Sequence, residues 1–174
     1  MTTQPTHVDA RAATNELFQR AWRQRDASVL DDMAAPDCTY HVPGRPPMDN
    51  REFLALMQHI WEAKPDLWVE LFDMIVEGNS VACRAQFIGT QTGELLGIPP
   101  TGRKVDMEEI ILVRWDEQGR LAAMYQEADY VRMLVQLGVM PPPGTGPLGQ
   151  LAHTFTSAAR FTWLKRKARK ARTA

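Results

Sequence analysis

Gly89-Thr-Gln-Thr-Gly-Glu-Leu-Leu-Gly-Ile-Pro-Pro-Thr-Gly-Arg103 joins two runs that read as β-strands. Its glycines and prolines oppose both a long ladder and a helix, so the chain must turn back on itself here. The runs on either side, Ser80 to Thr92 and Lys104 to Trp115, are rich in apolar and β-branched residues, as are Trp68 to Val76 and Arg120 to about Ala128. Glu77-Gly-Asn79 and Asp116-Glu-Gln-Gly119 have hairpin-turn chemistry, which predicts antiparallel neighbours. Asp129-Tyr-Val-Arg-Met-Leu-Val-Gln-Leu-Gly138 then reads as a short helix ended by its glycine.

Working back from the loop, the segment before the strands is helical. Ala13, Leu17 and Ala21, then Val29, Leu30 and Met33, recur at helical spacing, with a break at Arg25-Asp26; Phe18 and Trp22 widen the apolar face. Ala35-Pro36-Asp37 ends the second piece, and Cys38 to Val42 reads as a short strand. Asp49 or Asn50 caps a helix to about Ala63, with Phe53, Leu54, Met57, Ile60 and Trp61 on its apolar side. Helices first and an antiparallel meander after them make an α+β pattern, with helices on one face of a bent sheet.

Working forward, Met140-Pro-Pro-Pro-Gly-Thr-Gly-Pro147 is a linker by composition, and Leu148 to Arg172 can form a helix. The predicted organisation is a domain over 9–140, a Pro/Gly linker over 141–150 and a basic helical tail over 151–174. Residues 144–174 hold seven Lys/Arg and no Asp/Glu, which hides inside a formal net charge of -1. Phe161, Trp163 and Leu164 before the basic end allow weak contact with an anionic membrane surface, and no nucleic-acid partner is expected.

With 174 residues, 44% of them hydrophobic, the chain is long enough for one core and an internal cavity. Cys38 and Cys83 match neither a metal spacing nor a disulfide framework, and Met1 to His7 forms a short leader without a signal-peptide pattern. A cytoplasmic location is the expectation. His7, His41, His59 and His153 are scattered, so no metal site is expected. Gly93-Glu-Leu-Leu-Gly97 lacks the lysine of a phosphate loop, and no nucleophile elbow occurs.

Gly89-Thr90, Thr92-Gly93-Glu94, Gly97-Ile-Pro-Pro-Thr-Gly-Arg103 and Gln136-Leu-Gly138 give the chain, over roughly 14–140, a form that resembles the SnoaL-like polyketide and ester cyclases of the nuclear transport factor 2 superfamily. That resemblance implies a cone-shaped α+β barrel, a curved antiparallel sheet packed against N-terminal helices around an apolar pocket. It also implies a cofactor-free cyclase or isomerase that acts by acid/base catalysis on an apolar, keto-bearing small molecule, and association as a homodimer. The motif residues belong to turns and packing, so they speak to fold more than to reaction.

Asp129 matches the aspartate that in such cyclases moves a proton during aldol ring closure, and the same residue suits a helix cap. His41 and Gln91 are placed to orient substrate oxygens, Gln91 standing where many relatives have histidine; Ala123-Met124-Tyr125 replaces a more polar triplet. Trp22, Trp61, Phe87 and Tyr125 are expected as pocket walls. Arg84 and Glu109 fall in apolar strands and either pair inward or alternate onto the solvated face, since parity at Glu108-Glu109 is ambiguous. An Asp-Arg-Asp arrangement like that of the superfamily's epoxide hydrolases would need Asp73 or Asp106 beside Arg84. The main alternative is a non-catalytic module that binds a hydrophobic ligand in the same pocket.

Overall fold

In the computed structural model, residues 9–171 are described, with side chains to 168. The expected leader, Met1 to His7, and the end of the basic tail past residue 171 lie outside the described residues. The elements run α1 (Ala10–Phe18), a π-helical segment (Gln19–Gln24), α2 (Val29–Met33), β1 (Ala34–His41), α3 (Asn50–Ala63), β2 (Trp68–Glu77), β3 (Ser80–Thr90), β4 (Lys104–Trp115), β5 (Leu121–Ala128), α4 (Tyr130–Leu137) and α5 (Pro147–Ala171). The class is α+β, as the residue pattern predicts. The chain divides into two compact units, the first comprising 1–58, 68–87 and 108–128 and the second 59–67, 88–107 and 129–174.

The first unit holds most of the sheet, whose strands lie in the order β1-β5-β4-β3-β2. β4 and β5 are antiparallel, Leu112 opposite Tyr125 and Val113 opposite Met124. Gly78-Asn79 leaves room only for an antiparallel return between β2 and β3. β1 instead runs parallel to β5, with His41 opposite Tyr125, so the sheet is mixed, and it is not closed. β1 starts at Ala34, ahead of the predicted Cys38, because it is an edge strand whose register slips between Ala34 and Thr39; Pro36, which has no N–H to give, is tolerated there.

Strand alternation sorts the side chains. Val81, Cys83, Ala85 and Phe87 of β3 and Ile111, Val113 and Trp115 of β4 are buried, while their neighbours are more exposed. The Trp115 indole donates to Thr14 Oγ1 at 3.0 Å, which satisfies both groups in the core. Asp9 caps α1 by accepting the Ala12 N–H, and Asp49 and Glu52 form a reciprocal box at the start of α3, at 2.8 and 3.1 Å. Both cysteines are free and buried, and burial pushes the Cys83 thiol up to about 11 and raises that of Cys38. The thiolate is the reactive form, so neither thiol is expected to react with a disulfide reagent at pH 8 until the chain unfolds. Two thiols titrating in the native protein would contradict this.

The second unit contains the diagnostic loop, and its motif residues have physical reasons. The Thr92 and Gly93 amides both donate to the Ala63 carbonyl, at 2.9 and 3.0 Å, closing the C-terminus of α3. A Cβ on Gly93 would stand 2.7 Å from Ala63 Cα, so only glycine lets the backbone come this close. Asp66 accepts from the Thr90 amide at 2.6 Å and its hydroxyl at 2.7 Å, and these bonds hold its carboxyl below the usual aspartate range. A depressed value contributes stability above the unfolded pKa and loses it as pH falls through the folded one. Asp66→Asn should therefore lower the melting temperature at pH 7, with the difference closing below about pH 4; a pH-independent difference would remove the charge from the account. The Gln136 amide bonds both ways with the Asp106 backbone, at 2.9 Å each, tying α4 to the start of β4.

Candidate functional site

In the first unit, the inner sheet face is apolar apart from two groups. Glu109 of β4 is 8% exposed, and its Oε2 accepts the Gln126 side-chain N–H of β5 at 3.3 Å; Gln126 is 9% exposed. A buried carboxylate must be hydrogen-bonded to be tolerated, and the neutral amide supplies a donor without adding a charge. Strand parity is thereby decided: Glu109 points in and Glu108 out. Trp22 and Phe87 belong to the same interior and meet edge to face, centroids 5.3 Å apart at 86°. A cavity of about 10 Å³, lined among others by Phe18, Trp22, Tyr40, Phe53, Met57 and Met124, is close to the volume of one water. Tyr40 stacks on Phe53 at 4.1 Å and donates to Asn50 Oδ1 at 3.0 Å; burial, reinforced by Cys38, raises its hydroxyl far above the ordinary tyrosine value.

The other expected residues of this unit lie on positions that alternate away from the core. His41 and Tyr125 are half-buried and stack on each other, centroids 4.3 Å apart and 8° from parallel, with the Arg114 guanidinium 5.4 Å from the tyrosine ring. His41 also bonds Thr39 Oγ1 at 3.3 Å. Arg84 does not pair with Glu109: it binds Asp73 at 2.9 Å and Glu108 at 3.2 Å, beside the Phe72 ring. Asp73 does stand next to Arg84, as an epoxide hydrolase pattern would ask, but its side chain is 70% exposed, which leaves no water-excluded carboxylate pair there.

The second unit holds the remaining three. Gln91 is fully buried. Its Nε2 donates to the carbonyls of Gly93, Ile98 and Pro99, and its Oε1 accepts from the Thr101 amide and hydroxyl. Those bonds employ the whole amide inside its own loop, leaving no donor for a substrate oxygen. Trp61 is buried, and its indole N–H has no partner among the described residues. Asp129 is exposed and caps α4, its Oδ1 accepting the Arg132 N–H at 2.9 Å.

Gln126, the partner that holds Glu109, had no mark in the sequence; only its register against β4 places it. No group of His, Cys, Asp and Glu among the described residues has a metal-binding arrangement, and no described helix is long and apolar enough to cross a membrane.

The family model for SnoaL-like polyketide cyclases matches residues 12–137. Among solved structures, IdmH of Streptomyces antibioticus, proposed to be a polyketide cyclase, is 31% identical; the match covers 78% of this chain and 99% of that one at a TM-score of 0.61. AclR of Streptomyces galilaeus, proposed to be a hydroxylase, is 25% identical over 76% of this chain and 98% of its own, at 0.68. A protein of Jannaschia sp. CCS1 assigned to the SnoaL-like cyclases shares the fold at 23% identity and a TM-score of 0.70, covering 82% of this chain and 99% of that one. No curated protein matches.

Proposed function

Because this chain belongs to the SnoaL-like polyketide cyclase family, we propose that it closes a ring in an apolar, keto-bearing small molecule by cofactor-free acid/base catalysis. The observation that carries the reading is Glu109, a carboxylate kept from water on an otherwise apolar face and held by Gln126. In the proposed step, Glu109 takes the proton from a carbon flanked by carbonyls. The enolate carbon forms the new bond to a second carbonyl of the same molecule, and the alkoxide that results receives the proton back. Burial limits the access of water to the carboxylate, and holding the chain folded supplies part of the barrier reduction. Met57 and Met124 line the small cavity, whose walls do not include Glu109, and as adaptable side chains they would have to move to admit a ligand beside the carboxylate.

Asp129, the acid/base expected from the resemblance, remains the rival base. Wild type, Glu109→Gln and Asp129→Asn assayed on a panel of β-keto esters and linear polyketide mimics separate the two. Loss in Glu109→Gln alone supports the assignment, and loss in Asp129→Asn alone returns the base to Asp129. A non-catalytic binding module is the second reading, favoured by the employment of Asp129 as a cap and of Gln91 inside its loop. It is upheld if wild type binds the panel unchanged. Exposed Trp68, Ile75, Val76 and Ile110 on β2 and β4 support self-association as a homodimer, which sedimentation velocity reads directly.

A further inference from the structure

The C-terminus of α4 and the middle of α5, both in the second unit, line an open cavity of about 370 Å³ that the ring-closing reading does not use. Its polar lining is Arg103 from the diagnostic loop and His153, Thr156, Ser157 and Arg160 from α5; Val135, Met140 and Pro142 form an apolar wall. Arg103 and Arg160 meet at Gly138, where each has a guanidinium nitrogen 2.6 Å from the position a Cβ would take. Glycine is needed there twice over, for its φ of 71° and for this approach.

Two guanidiniums side by side repel, and neither forms an ion pair with a carboxylate among the described residues. Arg103 donates to the Gln136 carbonyl at 3.2 Å and Arg160 to the Leu137 carbonyl at 2.7 Å. These are the last carbonyls of α4, whose partial negative charge offsets only part of the two positive charges. Burial, and then the charge of Arg103, hold the Arg160 guanidinium below its ordinary value. Each guanidinium has five N–H groups, so most of both forks stays available. The Ser157 hydroxyl donates to the Gly138 carbonyl at 3.2 Å, and the hydroxyl oxygen lies 3.2 Å from His153 Nδ1.

We propose that this cavity is a binding site for a phosphate group, free or as the monoester of an organic molecule, gripped by Arg103 and Arg160 together. Paired guanidinium forks match the oxygens of a phosphate, which supplies the charge that the arginines lack. Four of the polar lining residues come from α5, so occupation would also fasten the basic tail helix to the end of α4. The inference does not depend on the ring-closing reading.

The test is a titration of the full chain with inorganic phosphate and, separately, phenyl phosphate, at ionic strength matched with sodium chloride, followed by amide NMR. The expected result is saturable shifts at Gly138 and Ser157, with affinity about tenfold weaker or lost in Arg160→Gln and in Arg103→Gln. Far-UV circular dichroism of both variants confirms that they fold. Tighter binding of phenyl phosphate identifies a monoester that uses the apolar wall, and equal binding identifies the free anion. No saturable shift with either probe, or unchanged affinity in both folded variants, overturns the proposal.

Discussion

Glu109→Gln is expected to cut ring-closing turnover by roughly 10²–10⁴-fold, the usual contribution of one positioned proton-transfer group. The substitution isolates the proton function. Glutamine has the same size, its carbonyl still accepts the Gln126 N–H, and a neutral group is no harder to bury than a carboxylate. Stability should fall by no more than about 1–3 kcal/mol, the cost of the new amide N–H groups if they find no acceptor, and KM should change far less than kcat. Asp129→Asn is the matched control, since asparagine caps a helix about as well as aspartate while carrying no charge. Full turnover in folded Glu109→Gln would sink the assignment, whatever Asp129→Asn does.

Gln91→Leu is expected to cost the fold about 3–5 kcal/mol, the largest stability effect we anticipate from one side chain. Leucine fills the space but leaves the carbonyls of Gly93, Ile98 and Pro99 without their shared donor and both Thr101 groups without their acceptor. Buried and unpaired, each such group costs about 1–3 kcal/mol, discounted because the loop can relax and admit water. Urea unfolding of the purified variant measures it. A loss below about 1 kcal/mol would mean that the loop rebuilds its bonds without the amide.

Features governed by local chemistry were readable in the residues. Asp129 and Gly138 bracket α4 as a cap and a left-handed terminator must, and β4 spans Lys104–Trp115 as its apolar and β-branched residues predict. What stayed hidden depends on distant partners. The parallel pairing of β1 with β5 joins segments some eighty residues apart, and only an edge position explains why Pro36 sits within β1. The π-helical turn at Gln19–Gln24 keeps Ala21 and Trp22 buried, so the apolar spacing looks the same as in an unbroken helix. At the site, Glu108 and Glu109 could not be told apart until the register was known. Gln91 carries no sign that its partners are backbone carbonyls, and the resemblance alone points it at a substrate oxygen.

The fastening of the 89–103 loop has a bearing on how such a chain can diversify. Its anchors read main chain: Gly93 rests on the Ala63 backbone, and Gln91 grips carbonyls whose owners could have other side chains. Between the anchors, Glu94, Leu96 and Gly97 face solvent at the tip of a tight return closed by Leu95 and Ile98. Exchange at the tip is confined to sequences that keep its turn, because Glu94 accepts the Gly97 N–H at 2.9 Å and Gly97 holds φ at 75°, while the frame beneath stays in register.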